Sequence, residues 1–348
     1  MQKVDGRVVH LVHWTKSGIT TLVRDICKLK GHSFILFEKD SDFDKYYSDI
    51  VDKYCAKESV INFVKMVRNI SPEIIHAHSF MPLLVALLFF RKSKIIFHVH
   101  NEYPYFYDNR IKSKIKRFIL RVSKSVVSYK IICVSKESGE SIKRITGSDY
   151  EIVVNGLPDE GSVRSLFDEK PDQYRFYSVC RLDDQKNLDY AISLIKDLSA
   201  KFNGVAPTYD IYGKGALYDS LSEKIEQSSA GSLVKLKGFV HEPQYLSEHY
   251  DYYISTSIYE GFGLSIVSAM RGRNIVFMTP VGDLPRYLSD GIEVIFLSLE
   301  RTRDIEIISN FLSQNESRKV AVQRRARLKF ISCFTQDKML NDLDKYYK

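Results

Sequence analysis

Short, β-branched apolar runs alternate with helix-length segments along this chain, and the alternation is gone through twice. In the first half RVVHLVHW, SFILFEK, EIIHAHS, KIIFHVH and YKIICVS read as strands. Helical patterns lie between them, one through Leu22, Ile26 and Leu29, another through Ile61, Val64, Met66 and Val67 up to Pro72. After EIVVNGLPD, where Asn155, Gly156 and Pro158 punctuate a hinge, the series restarts at RFYSVC, APTYDIYG, LVKLKGF, DYYISTS, NIVFMT and EVIFL. Helices are predicted from about Asn187, over Leu217 to Ile225, and through most of Thr302 to Asp344. Apolar strands alternating with helices give an α/β chain with parallel sheets covered on both faces. A length of 348 residues exceeds one comfortable core, so two Rossmann-like domains are expected. Their spans are 1–156 and 157–330, with a C-terminal helix over 331–348 completing the first. Ligands of such sheets sit outside the carboxyl ends of the strands. Two domains facing each other would therefore line one cleft, a donor on one side and an acceptor on the other.

Charge and cysteine usage narrow the partners. The net charge of +8 favours anions: nucleotide phosphates, an acidic membrane surface or nucleic acid. No recognition module accompanies the charge, so nucleic acid is set aside. Cys27, Cys133 and Cys180 lie in apolar text, and Cys55 and Cys333 are far from them, which reads as free thiols in a reducing compartment. The opening MQKVDGRVVHLVHW has no long apolar core of a signal peptide, and Pro82 to Phe90 is too short to span a bilayer. A cytoplasmic protein, peripheral at the inner face of the membrane, is expected. Residues 110–130 hold eight basic side chains and no acidic one, with Ile111, Ile115, Phe118, Val122 and Val126 at helical spacing. Such an amphipathic helix either lies on anionic lipid or packs its stripe inward and solvates its basic face.

Three clusters can carry chemistry. In STSIYEGFGLSIVSAMRG, Ser255 to Gly272, Gly261 and Gly263 permit a tight turn off a strand, and a helix beginning near Leu264 offers free N–H groups to phosphate. Glu260 stands just beyond the strand, where it can accept from sugar hydroxyls; the plain alternative is a strand-to-helix turn with a solvated carboxylate. In VCRLDDQKNLDYAI, Arg181 and Lys186 can clamp a diphosphate, or can simply be solvated loop cations. His76 and His78, and His98 and His100, have the i, i+2 spacing that puts each pair on one strand face. No cysteine pair or carboxylate cluster has zinc spacing, so no metal site is assigned. His100, at its strand's end beside Asn101 and Glu102, is the histidine best placed to reach a ligand. His13, Ser17 and Gly18 form a possible first-loop contact without a full G-x-G-x-x-G.

The order PEIIHAHS, VVNGLP, VCRLDDQKNL, YDIYGKG, LKGFV, STSIYEGFGLSIVSAM and TPVGDLP resembles the family-four retaining glycosyltransferases of GT-B fold, the bacterial group 1 type, over nearly the whole length. By that resemblance His100 contacts the donor sugar near the reacting centre. Arg181 and Lys186 bind the diphosphate and stabilise the leaving nucleotide, and Glu260 positions the sugar. Gly213 of the glycine turn, Gly261, Phe262, Gly263, Leu264 and Ser268 hold the donor, and the Ser17–Gly18 loop completes phosphate or acceptor binding. The resemblance implies transfer of a hexose from a nucleotide diphosphate sugar to a glycan acceptor hydroxyl, with no obligatory cofactor or metal. It also implies front-face attack, with the leaving phosphate taking the acceptor's proton.

Departures from the pattern fall in one helix and one loop. Ser268 replaces the family's second Glu, Ser265 its proline, Arg271 a small residue and Arg286 an acidic one. Arg271 or Arg286 would then serve as a substitute phosphate contact. The basic segment and the thiols point to a lipid-linked acceptor in cell-surface polysaccharide or lipopolysaccharide synthesis. The rival reading is a catalytically degenerate GT-B-like partner subunit of another transferase.

Overall fold

The computed structural model describes residues 7–14, 18–41, 43–50, 52–100, 111–166, 173–202, 206–227 and 231–348. The chain divides into two compact units, Met1–Asn155 with Asp337–Lys348, and Gly156–Gln336. Ser17 and the segment 101–110, which holds Asn101, Glu102 and the first residue of the basic stretch 110–130, lie outside the described residues.

In the first unit the strands are β1 (Val8–Val12), β2 (Ser33–Leu36), β3 (Lys53–Cys55), β4 (Ile74–Ala77), β5 (Lys94–Val99), β6 (Lys130–Cys133) and β7 (Glu151–Ile152). They form one parallel sheet in the order β3-β2-β1-β4-β5-β6-β7. The helices between them are α1 (Gly18–Lys30), α2 (Phe43–Tyr46), α3 (Val60–Ile70), α4 (Phe80–Phe89), α5 (Ile111–Val126) and α6 (Lys136–Thr146). Helix α3 shows how locally the boundaries are set. Ser59 caps its start by accepting from the Asn62 N–H, and Ser71 ends it in the left-handed region before Pro72. The edge strands β3 and β7 were not foreseen. Both are short and pair on one side only, so little apolar patterning is needed to hold them.

One face of this sheet carries Val8, Ile74, Ile96 and Ile132 against Leu22 and Ile26 of α1. The same cluster includes Met339, Leu340, Leu343, Tyr346 and Tyr347, from helix α12 (Gln336–Asp344) and the residues after it. Lys30 and Asp344 form an ion pair at 2.7 Å at its margin. The opposite face packs Val9, Leu11, Ile35, Ile75 and Phe97 against Phe63 and Val67 of α3.

Helix α5 does not follow its neighbours. Helix α1 buries Leu22, Val23 and Ile26, whereas α5 buries only Ser113 and Leu120. Its apolar row faces solvent, with Ile111 75% exposed and Phe118 68%. At about 100° per residue, Leu120 lies half a turn around the helix from Ile111 and Val122, so docking and apolar faces are opposed. The inward-packed alternative for this stripe is therefore overturned.

The second unit repeats the plan with β8 (Arg175–Val179), β9 (Thr208–Tyr212), β10 (Val234–Gly238), β11 (Tyr252–Ser255), β12 (Ile275–Met278) and β13 (Ile295–Phe296). All pair in parallel, in the order β10-β9-β8-β11-β12-β13. Its helices are α7 (Leu188–Lys201), α8 (Tyr218–Gln227), α9 (Leu264–Arg271), α10 (Arg301–Leu312) and α11 (Glu316–Cys333). Phe176, Tyr209, Tyr252, Ile275 and Phe277 build the sheet side of its core against Leu194, Ile195, Leu198 and Phe311. The two chain segments leaving this unit are tied together: Leu157 N–H donates to Phe334 O and Gln336 N–H to Leu157 O, both at 2.9 Å. A Cβ on Gly156 would lie 2.2 Å from Thr335 O, so that crossing requires glycine. No helix of the described residues is long and apolar enough to cross a membrane.

Candidate functional site

Strand order reverses between β8 and β11 in the second unit, which is where an open parallel sheet leaves a crevice beyond its carboxyl ends. The segment after β8 carries Arg181 and Lys186, and the segment after β11 carries Glu260. Lys186 and Glu260, 74 apart in sequence, meet there, and Arg181 lies nearby. Lys186 Nζ lies 2.5 Å from Glu260 Oε1, with the two side chains 14% and 10% exposed. Ser257 Oγ donates to the same oxygen at 2.8 Å. Both contacts fall on Oε1, so among the described residues Glu260 Oε2 has no partner. Arg181 is largely exposed beside the pair and is held at 3.2 Å by Asp183 and at 3.3 Å by Gln185 Oε1.

Backbone stitching fixes this arrangement. Gln185 Nε2 donates to Tyr259 O at 2.9 Å, and Ile258 N–H donates to Gln185 O at the same distance. Thr256 Oγ1 bridges to the carbonyls of Lys186 and Asn187. Thr279 Oγ1 donates to Ser257 O at 2.6 Å. Gly282, at φ +71°, has room for no side chain because a Cβ would lie 2.8 Å from Glu260 O. Gly213, at φ +147°, brings its loop so close that a Cβ would sit 1.8 Å from Cys180 O. That packing accounts for the glycine turn after β9 without any ligand. Gln185, Thr256, Ser257 and Thr279 were missed in the sequence. The S-T-S run ahead of YEGFG was their one visible signal.

Gly263 begins α9 at φ +88°, and Ile266 and Val267 N–H groups return to its carbonyl. Of the helix, only Leu264, Ser265 and Ser268 are not buried, so the serines share its open side one turn apart. Tyr253 OH donates to Ser265 Oγ at 2.8 Å. Gly261 is half-buried beside Glu260. Phe262 is buried edge-on against Phe334, so its side chain is a packing anchor and only its backbone is available to a donor. A small pocket at this point is lined by Cys180, Lys186, Tyr253, Ser257, Glu260 and Ser265.

Arg271 is not a phosphate contact. It is 1% exposed, its Nη2 donates to Gln244 O at 2.7 Å, and its Nη1 lies so close to Gly161 that a Cβ there would sit 2.5 Å away. Arg286 remains half-exposed and pairs with the buried Asp283 at 3.0 Å.

In the first unit, His100 follows β5 directly and is buried. Its Nε2 lies 2.8 Å from His78 Nδ1, while its Nδ1 is buried without a partner among the described residues. Burial pushes its pKa down to about 3, so it is neutral at physiological pH. His13 stacks on Phe37, and burial lowers its pKa against the opposing pull of Glu38. Gly18 is exposed at the start of α1. Six histidines crowd the sheet face here. Ring nitrogens of His10, His76 and His78, and of His78, His98 and His100, lie within 4.8 Å of one another in two sets that could hold a metal ion.

A group 1 glycosyl transferase model matches residues 163–327, and a glycosyltransferase family 4 model matches residues 55–160. A 41.2 kDa protein of the cps region of Klebsiella pneumoniae is 25% identical over 98% of this chain and 99% of its own. The poly(ribitol-phosphate) alpha-N-acetylglucosaminyltransferase of Staphylococcus aureus is 35% identical over 92 residues, 26% of this chain and 18% of that protein. This chain covers 19%, 18% and 26% of the length of the first curated relatives it matches. Anabaena HepE, solved with UDP and glucose, superposes with a TM-score of 0.82 at 16% identity over 98% of each chain.

Proposed function

The chain belongs to the group 1 glycosyltransferases of GT-B fold, and from that premise we propose that it moves a hexose from a nucleoside diphosphate sugar to a hydroxyl of a glycan acceptor, with retention of configuration. The observation that carries this reading is the Lys186–Glu260 pair at the switch point of the second sheet, with the exposed Arg181 beside it. A site that keeps buried charge only as a pair, and adds a solvent-exposed cation held at its margin by Asp183, suits a diphosphate joined to a neutral sugar.

Arg181 meets the diphosphate first. Lys186, already desolvated and aimed by Glu260, then neutralises the charge that grows on the leaving phosphate. Glu260 Oε2 accepts from sugar hydroxyls, while the α9 N–H groups after Gly263 take a phosphate oxygen. Ser268 bonds the ribose through a hydroxyl, with less strength than a carboxylate would give. His100, neutral, contacts the donor sugar near the reacting carbon. The acceptor's proton passes to the departing phosphate, so no protein base is required.

The donor is tested with a panel of uridine, guanosine and adenosine diphosphate hexoses and a mixed glycan acceptor pool, scored by release of nucleoside diphosphate. One base should give turnover that Glu260→Ala abolishes, and NMR of the product should show the donor's anomeric configuration kept. Nucleotide binding without turnover for any donor would make the chain a partner subunit instead.

We further propose a lipid-linked acceptor in cell-surface polysaccharide synthesis, with the enzyme on the inner face of the cytoplasmic membrane. Support comes from α5: an exposed row of Ile111, Ile115, Phe118, Val122 and Val126 with Lys112, Lys114 and Arg121 exposed along its sides. Flotation with anionic vesicles should be lost on neutralising Lys112, Lys114, Lys116 and Arg117, or on Phe118→Asp. Unchanged flotation would remove the membrane from the account.

A further inference from the structure

The buried histidines of the first unit are joined end to end. His32 Nδ1 lies 2.9 Å from His10 Nε2, His10 Nδ1 lies 2.9 Å from His78 Nε2, and His78 Nδ1 lies 2.8 Å from His100 Nε2. His32 immediately precedes β2 and His100 immediately follows β5, so the row crosses the sheet face from an amino end to a carboxyl end. Successive rings are about 5 Å apart and inclined by 16° to 28°.

Burial holds all four rings neutral. It drives His10 and His78 well below the ordinary histidine value, His32 to about 4 and His100 to about 3. A neutral imidazole has one N–H and one lone pair. Each of the three contacts needs one proton and cannot hold two. His10 and His78 commit both nitrogens to the row, so their choices are not independent. If His32 donates from Nδ1, then His10 and His78 also carry their proton on Nδ1, and His100, accepting at Nε2, presents Nδ1–H. If His100 donates from Nε2 instead, every ring reverses, and His100 presents a bare Nδ1 lone pair.

We propose that this row fixes the tautomer of His100, making His10, His78 and His32 positioning residues for the sugar-contacting histidine. The inference rests on the role given to His100 above. Through it, a group at the far end of β2, beside Lys30 and Asp344, decides whether the reacting end of β5 offers a hydrogen-bond donor or an acceptor. A divalent ion on His78, His98 and His100 would have to replace the His78–His100 bond.

Long-range proton–nitrogen NMR of the full chain with labelled histidine reads the tautomers directly. The four rings are expected to share one tautomer and to stay neutral down to pH 6. Two tautomers within the row, or stoichiometric zinc in the purified protein with metal-shifted ring nitrogens, would overturn the proposal. That reading uses the unaltered chain and so does not depend on any variant folding. His10→Phe keeps a flat ring but removes both nitrogens. It should change the His100 tautomer signal and lower kcat about tenfold with little change in donor KM, the scale seen when an outer partner of a functional imidazole is lost. His76→Gln, a change at an equally buried ring outside the row, should leave the His100 signal and kcat as they were. An altered tautomer in His10→Phe with unchanged kcat would leave the row intact and remove His100 from the reaction, which separates the two claims.

Discussion

At the switch point of the first sheet, β1 and β4 set His10 against His76 in register, and four more buried imidazoles, His32, His78, His98 and His100, surround them. At the switch point of the second, the segments after β8 and β11 bring a lysine onto a glutamate. The strand order around both points is the same, so topology does not explain the contrast. A buried group that can lose its charge does so, and the histidines are held neutral by burial. The lysine and the glutamate instead stand against each other as a largely buried ion pair. One unit thus holds neutral hydrogen-bonding groups and the other a charged pair.

Acid should separate the units most sharply. Unfolded histidines titrate near 6.5, whereas the folded ones of the first unit titrate lower, to about 4 for His32 and about 3 for His100. The unfolded chain therefore binds more protons as pH falls below 6.5, and stability is lost in that direction. Each such group removes about 1.4 kcal/mol per pH unit within its window. With six of them in one layer, the first unit should unfold at a higher pH than the second, whose His241 and His249 are exposed. Circular dichroism with fluorescence of Trp14, which lies in the first unit, follows the two transitions. Coincident unfolding, or a second unit that fails first, would break the comparison.

Removing one partner of the charged pair comes next. Lys186→Met should lower kcat/KM about a thousandfold and destabilise the second unit by about 3 kcal/mol. The double variant Lys186→Met, Glu260→Leu should recover much of that stability and none of the turnover. Recovery of both would show that the pair serves packing alone.

Ser268→Glu sharpens the contrast from the other side by adding charge to the open face of α9. Nucleotide affinity should rise about tenfold, roughly 1.4 kcal/mol, in equilibrium titration. A fall would mean that Ser268 does not face the ribose.

Much of the architecture was legible because parallel strands buried on both faces write continuous apolar runs, as in KIIFHVH and DYYISTS. Strands β3 and β7 were not, since an edge strand of two or three residues leaves almost no pattern. The periodicity of α5 showed which residues share a side but not which side packs. Its docking face turned out to rest on Ser113 and Leu120, opposite the apolar row. Arg181, Lys186 and Glu260 were visible as strand-end residues of two motifs. Their meeting was not, because sequence spacing says nothing about which strands become neighbours. Arg271 misled for a related reason: a cation in a loop-and-helix motif looks available, and only the fold shows it committed to Gln244 O. The paired histidines were seen as two strand faces. His10 and His32, which connect them, carry no motif of their own.

The claim that the second unit owns the pyrophosphate is tested most directly by calorimetric titration of the nucleoside diphosphate chosen by the donor panel. Against the unaltered chain, Arg181→Ala should weaken binding about tenfold, the loss expected for one charge-assisted phosphate contact. Lys186→Met should weaken it more, and His100→Asn should leave it within about twofold, because the neutral imidazole is assigned to the sugar rather than to the phosphates. Equal binding by Arg181→Ala, Lys186→Met and the unaltered chain, with loss only in His100→Asn, would contradict the account.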